Sequence, residues 1–425
     1  MAREIMLQKL PVGWSYDLLD NIAERCSGHT PSKSFPEYWN GGIKWISLSD
    51  SYRLDKGYVY ETDKEISLEG IKNSSAEVHP AETVILSRDA GVGKSGVMAT
   101  PMAVSQHFIA WKCDNKEKLH SWYLYNWLQL NKEEFERQAV GSTIKTIGLP
   151  YFKKLKIAVP PFDEQKKIAQ ILSTWDKAIS VTEKLLTNSQ QQKKALMQQL
   201  LTGKKRLLDD NGNNFHGEWK IFQIGTLLKE IKRPVQWNDN DEYSLLSVKR
   251  RSEGVVLREK LKGYQILTKK MNYVKSGDFL ISKMQVVHGA TGLVTSEFNN
   301  YHISDSYIAL NSRNPSILDV QFFSWVCKQK IMYHKAYLCS YGVHIEKMTF
   351  NLQMYLQEKV CIPKTSEEQQ KIATVLSAAD AEISTLEKKL ACLKNEKKAL
   401  MQQLLTGKRR VSVPVKVEEK EAVSA

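Results

Sequence analysis

The chain has 425 residues, 42% hydrophobic and 25% charged, enough for two or three domains that each bury a core. Its six cysteines show no CxxC spacing and no metal pattern with histidine, the N-terminal MAREIMLQKLPVGW lacks a signal-type apolar core, and no apolar run is long enough to span a bilayer. A soluble, cytoplasmic protein with reduced thiols and no membrane partner is expected, and the formal net charge of +14 directs attention to a polyanion or another acidic partner.

In chain order, Glu82-Thr83-Val84-Ile85-Leu86-Ser87 predicts a strand, followed by the glycine-containing loop Arg88-Asp89-Ala90-Gly91-Val92-Gly93-Lys94-Ser95-Gly96. Gly93-Lys94-Ser95 invites a phosphate-cradling reading. A P-loop needs G-x-x-x-x-G-K-[ST], however, and here its first glycine falls on Arg88, while Gly96 and Pro101 interrupt the stretch where a helix must follow. A loop that presents Arg88 and Lys94 to a polyanion fits better, and a hairpin with incidental basic residues stays open. An aromatic-rich amphipathic stretch, Trp122–Phe135, comes next, and Lys156-Ile157-Ala158-Val159-Pro160 reads as a strand stopped by proline.

Residues 164–206 then predict a long helix, and they recur without a gap as residues 368–410. Of the 43 aligned pairs 26 are identical, including KKALMQQLLTGK at Lys193–Lys204 and Lys397–Lys408. Ile372, Leu376, Ala379, Ile383, Leu386, Leu390, Leu393, Lys397, Leu400 and Leu404 form a heptad seam. The same register gives Ile168, Leu172, Trp175, Ile179, Thr182, Leu186, Ser189, Lys193, Leu196 and Leu200 in the first copy. Gly203 and Gly407 stand where a helix closes on a residue tolerating positive φ. From Glu164 to Leu201 such a helix would run roughly 57 Å. The two segments contribute +6 and +4 to the net charge, which suits a phosphate backbone, an acidic protein or a merely solvated exterior.

Between the helices the first pattern returns. Gly277-Asp278-Phe279-Leu280-Ile281-Ser282 predicts the equivalent strand, Lys283–Gly292 its loop, Phe322–Tyr337 the amphipathic stretch, and Lys359-Val360-Cys361-Ile362-Pro363 the closing strand. These are mixed α/β domains, the same fold twice. Paired antiparallel, the two helices would make a dumbbell with approximate twofold symmetry. The search for catalysis finds no H-E-x-x-H, G-x-S-x-G, paired-cysteine zinc set or [DNS]-P-P-[YFW] tetrapeptide; Pro160-Pro161-Phe162 comes nearest but follows Val159. A non-catalytic chain is expected.

Two diverged segments, each closing on a proline strand, an E-Q-x-x-I-A phrase (Glu164–Ala169, Glu368–Ala373) and a helix ending in L-L-T-G-K, resemble the specificity subunit of type I restriction–modification enzymes. Leu10-Pro11-Val12-Gly13-Trp14 and His216-Gly217-Glu218-Trp219 fit that family's domain entries, and Gly141-Ser142-Thr143-Ile144 matches a recurrent element whose looser counterpart is Tyr341-Gly342-Val343-His344-Ile345. The resemblance covers about residues 5–410. It implies an α+β fold: two similar mixed α/β target-recognition domains (1–160 and 207–363) separated by an antiparallel, pseudo-twofold coiled coil of two long helices (161–206 and 364–410), with 411–425 a disordered tail. It also implies a non-catalytic subunit that reads a bipartite double-stranded DNA target, one half-site per domain, and docks two methyltransferase subunits, with restriction motor-nuclease subunits joining for cleavage. S-adenosylmethionine, ATP and magnesium would belong to those partners, with no cofactor and no metal in this chain.

No base code carries over, so candidate DNA contacts are chosen by local chemistry. They are Arg88, Lys94 and Ser95 in the first loop, Lys145 after the GST element, and Lys249, Arg250, Arg251, Lys283, Gln285 and His288 in the second domain. Arg and Lys suit guanine or phosphate and Gln suits adenine. Two other classes stay open: a coiled-coil adaptor whose globular ends bind proteins, and a nucleotide hydrolase acting through Gly93-Lys94-Ser95.

Overall fold

A computed structural model describes residues 10–113 and 118–412; the remainder of the expected C-terminal tail, residues 413–425, lies outside the described residues. The chain divides into two compact units, Met1–Glu183 with Lys388–Ala425 and Lys184–Glu387, so each unit takes one globular domain and part of both long helices.

In the first unit β1 (Ser15–Leu18), β2 (Glu24–Ser27), β3 (Trp39–Ile46), β4 (Tyr58–Val59), β5 (Glu65–Ile66), β6 (Val84–Ser87), β7 (Ser95–Met98), β8 (Ala103–Val104) and β9 (Phe108–Lys112) lead to helices α1 (Ser121–Leu130) and α2 (Lys132–Gln138) and to β10 (Lys156–Val159). The strands form a five-stranded sheet in the order β2-β9-β6-β7-β4, a three-stranded sheet β5-β3-β8, and a β1-β10 pair that joins the start of the domain to its end. All four residues of β6 are buried. Val84 and Leu86 face a core shared with Trp111, Tyr123 and Leu124, whereas Ile85 faces a second core with Met98, Val104 and Phe108. A strand covered on both faces carries no polar alternation, which is why it reads as a continuous apolar run. The amphipathic stretch expected as one element is two helices, interrupted at Asn131, whose side-chain Nδ2 donates to the carbonyl of Trp127.

The long helix α3 (Phe162–Leu200) links to the second domain: β11 (Lys220–Gln223), β12 (Leu228–Ile231), β13 (Glu242–Val248), β14 (Val255–Lys262), β15 (Met271–Tyr273), β16 (Phe279–Ser282), β17 (Thr291–Leu293), β18 (His302–Ser304), β19 (Tyr307–Ser312), α4 (Val320–Val326), α5 (Lys330–Leu338), β20 (Lys359–Ile362) and the second long helix α6 (Ser366–Leu404). The order β12-β19-β16-β17 repeats β2-β9-β6-β7. β13 runs parallel to β18 as β3 does to β8, and β11 pairs with β20 as β1 does with β10. The fold is α+β, with the same domain built twice.

Every predicted seam residue of α3 and α6 is buried or half-buried. Three ion pairs and a hydrogen bond give the pairing sense within each unit. Asp176 and Glu183 meet Lys397 (2.6 Å) and Lys394 (2.7 Å) in the first; Ser189 meets Glu382 (3.0 Å) and Lys193 meets Asp380 in the second. Rising numbers on one helix meet falling numbers on the other, so the pairing is antiparallel. The polar seam positions Lys193 and Lys397 are thus answered by Asp380 and Asp176.

The repeated phrases form joints between helix and domain. Gln165 is 1% exposed, donates to the carbonyls of Lys118 and Pro160 (both 2.9 Å) and accepts from the His120 amide (2.8 Å). Gln369 does the same with Ile317, Pro363 and Asp319. Glu164 takes a bidentate pair from Arg410 (2.7 Å twice), and Glu368 takes one from Arg206 (2.6 and 2.7 Å). Gly407 at φ +73° and Gly203 at φ +70° close the helices where a Cβ would stand 2.5 Å from Pro11 or 3.2 Å from Trp219. Only glycine meets both demands.

Candidate nucleic-acid interface

β6 delivers Arg88 to the edge of the first domain, where two backbone bonds hold it: its amide donates to the carbonyl of His107 (2.9 Å), and its carbonyl accepts from the amide of Ile147 (2.9 Å). The second bond ties the loop to the hairpin that carries the GST element, itself closed by Val140 and Thr146 (3.0 and 2.9 Å). Ala90, Gly91, Thr143, Ile144 and Lys145 consequently line one hollow of about 370 Å³, which Glu136 also borders. Lys145 is exposed and has no acidic partner among the described residues. Arg88 is half-covered, its nearest carboxylate oxygen is that of Asp89 at 3.9 Å, and its buried Nε meets no acceptor. A guanidinium held this way keeps donor capacity for an incoming phosphate or base edge.

The other two candidates of this loop stand differently. Lys94 is not a free tip, since its ammonium donates to the hydroxyl (3.0 Å) and carbonyl (3.3 Å) of Ser51. Ser95 is wholly buried, its amide donating to Asp55 (3.0 Å) and its hydroxyl accepting from Gln129 (2.8 Å). It begins β7, so a strand rather than a helix follows Gly93-Lys94, and no P-loop cradle forms.

The second domain repeats the clamp with Lys283. Its amide donates to Ser306 (2.9 Å), and its carbonyl accepts from Phe350 (3.1 Å). Lys283 is half-buried and has no acidic partner among the described residues. Arg251 and Ser252 adopt left-handed backbone (φ +59° and +54°), a strained turn bonded through the Ser252 amide to Gly289 (2.7 Å). That bond draws Lys249, Arg250 and Arg251 to the loop holding Gln285 and His288. Arg250 then pairs with Glu346 (2.6 Å), whose other oxygen lies 3.3 Å from His288 Nε2. Lys249 and Arg251 are exposed, while the side-chain oxygen of Gln285 is buried without a partner. All six candidates of this domain therefore belong to one cluster.

Sequence reasoning missed Glu346, the carboxylate that gathers the cluster, because an acid among expected DNA contacts carries no signal of its own. It also missed the basic face of β14. Arg258, Lys260 and Lys262 alternate along an edge strand and are all exposed, and Lys269 and Lys270 follow. The period-2 spacing in VVLREKLK is the signal that could have found it.

The model of the type I restriction modification DNA specificity domain matches residues 11–188 and again residues 216–395. The chain belongs to that family. Among curated relatives, the type I restriction enzyme MjaIX specificity subunit of Methanocaldococcus jannaschii is 25% identical over 236 residues, 53% of this chain and 54% of the relative. The EcoR124I/EcoR124II specificity subunit of Escherichia coli is 29% identical over 175 residues, 39% and 42% of the two chains. The chain thus spans about half the length of the curated relatives it matches, or less. The crystal structure of the type I restriction-modification system S subunit from M. genitalium aligns over 94% of this chain and 98% of that one, with a TM-score of 0.58 at 15% identity. A chain from a structural study of complex assembly and conformational transition of the type I R-M system aligns with a TM-score of 0.52 at 16% identity, over 95% and 100%. At these identities the likeness speaks for the fold. Each cationic loop cluster falls within its own specificity-domain match.

Proposed function

We propose that this chain is the non-catalytic, DNA-reading subunit of a type I restriction–modification complex, and that each specificity domain reads one half of a bipartite target. The observation that carries this is the duplicated clamp. In both domains a cation at the end of the central strand, Arg88 or Lys283, is fixed by paired backbone bonds beside a second basic loop. The Arg and Lys side chains would supply phosphate neutralisation and guanine contacts. The paired helices would hold the two readers apart and dock two methyltransferase subunits, with motor-nuclease subunits joining for cleavage. S-adenosylmethionine, ATP and magnesium would act on those partners.

The test replaces residues 15–155 with the corresponding domain of another family member and maps methylated adenines in a host expressing the full system. One half-site should change and the other persist. A change in both halves, or in neither, overturns the one-domain-per-half-site reading.

A further inference from the structure

In the second unit a groove of about 1070 Å³ runs between the C-terminal end of α3 and the α4–α5 junction. Lys193, Lys194, Lys204, Lys328 and Lys330 line it, and no Asp or Glu does. Met197 and Ile383 form an apolar floor. Two of the lysines already share a single carboxylate: Asp380 pairs with Lys193 through one oxygen and lies 3.5 Å from the Lys328 ammonium through the other. The Lys328 ammonium also sits 3.8 Å from the centre of the Trp325 ring. Burial pulls its pKa below the ordinary lysine value, the direction expected of an ammonium short of anionic partners. One surplus positive charge is therefore held in a half-enclosed site, with Lys194, Lys204 and Lys330 around its rim.

The duplication supplies a control. The same twelve residues recur in α6 and just beyond it, but in the first unit they meet other neighbours. Lys398, the counterpart of Lys194, lies 3.6 Å from Glu133, the second residue of α2. The second residue of α5 in the second unit is Ile331, which is 55% exposed. Residues 193–204 and 397–408 are identical, while the domain facing them supplies the acid Glu133 in one unit and the apolar Ile331 at the same helix position in the other.

We propose that this groove receives a carboxylate-bearing, partly apolar segment of a partner protein, so that the two helix ends present different charge to otherwise equivalent partners. This rests on the reading that the helices dock partner subunits. Of the five ammoniums only Lys193 and Lys328 meet an acid, the single carboxylate of Asp380, among the described residues. The excess positive charge specifies an anionic occupant, and Met197 and Ile383 favour protein over nucleic acid, because a phosphodiester backbone has no apolar surface to lay on them.

The test uses the full chain with a fluorescein-labelled amphipathic peptide carrying Glu on its polar face, the same peptide with Gln, and a non-target DNA duplex as competitor. The Glu peptide should bind at least roughly tenfold tighter than the Gln peptide. Lys194→Gln with Lys330→Gln, both at exposed positions, should weaken it roughly five- to tenfold, and Lys398→Gln should leave it unchanged. Equal binding of the two peptides, an equal loss in Lys398→Gln, or unaltered affinity in the double variant overturns the proposal. Displacement of the peptide by the duplex assigns the groove to nucleic acid and also overturns it. Target methylation by the assembled complex is read in parallel: failure of the wild-type chain there counts against the specificity reading, whatever the peptide does.

Discussion

Arg206→Met tests whether the joints between helix and domain are as strong as their geometry implies. The Glu368 side chain is 2% exposed and that of Arg206 22%, and the guanidinium also donates to the carbonyl of Gly217 (2.8 Å). Removing one partner of a buried ion pair costs about 3–5 kcal/mol, because the remaining charge is left unpaired. Partial exposure of Arg206 puts this case at the lower bound, about 3 kcal/mol, and the lost bond to Gly217 adds about 1 kcal/mol. Arg206→Met should thus lose about 4 kcal/mol. Combining it with Glu368→Met removes both charges and leaves a deficit of about 1 kcal/mol, so the second substitution regains about 3 kcal/mol. With a urea dependence of about 2 kcal/mol per molar, the single variant should unfold about 2 M earlier, followed by tryptophan fluorescence. Arg410→Met, at a guanidinium 42% exposed, should lose less, about 2 kcal/mol. A single-variant loss below about 1 kcal/mol, or a double variant no more stable than Arg206→Met, would refute this account.

Gln165→Met and Gln369→Met should each cost about 3 kcal/mol in urea unfolding, since each abandons three backbone partners in a buried place. Gly407→Ala adds a Cβ 2.5 Å from Pro11 at φ +73° and should cost about 2–3 kcal/mol. Gly212→Ala, at φ +81° in open space, should cost only about 1 kcal/mol by the same measurement. His79 is wholly buried with both ring nitrogens unpaired, and burial depresses its pKa below the ordinary 6.5. The unfolded chain then binds the proton more readily, so stability present above pH 6.5 is lost as pH falls through the folded value, and His79→Leu should flatten that slope. Lys145→Ala and Lys283→Ala should each lower the slope of log K against log salt for DNA by about 0.9, whereas Ser95→Ala should leave it unchanged.

What could be read from the sequence was whatever depends on local period. The seam from Ile168 to Leu200 and from Ile372 to Leu404 is set by heptad spacing alone, and tertiary packing only confirms which face is covered. The glycines closing the helices were legible because positive φ leaves few alternatives. The role of the E-Q phrase was not, although the phrase itself stood out: Glu164 meets Arg410 and Glu368 meets Arg206 across 246 and 162 residues, and no spacing rule spans that distance. Ser95 was misplaced because a G-K-S string looks like a loop, while its burial depends on Asp55 and Gln129 reaching it from elsewhere. The break at Asn131 had no proline or glycine to announce it. In the second domain the cluster around Glu346 depends on three loops meeting, which only the fold decides.

The seam also bears on how the chain is made. Asp176 meets Lys397, and Asp380 meets Lys193, but the repeat puts the same aspartate and lysine on both helices. A newly formed α3 therefore carries both halves of these ion pairs, so that Asp176 of each of two nascent chains can face Lys193 of the other. Its intended partner lies 204 residues further along, roughly 10–40 s away at 5–20 residues per second. The covalent tether favours self-pairing by keeping the chain's own α6 at a higher effective concentration than any neighbour's helix, and the more apolar α6 seam, with Leu386 and Leu393 where α3 has Thr182 and Ser189, favours it further. Crowded synthesis on one message should thus favour exchanged dimers, and dilution should favour the self-paired chain.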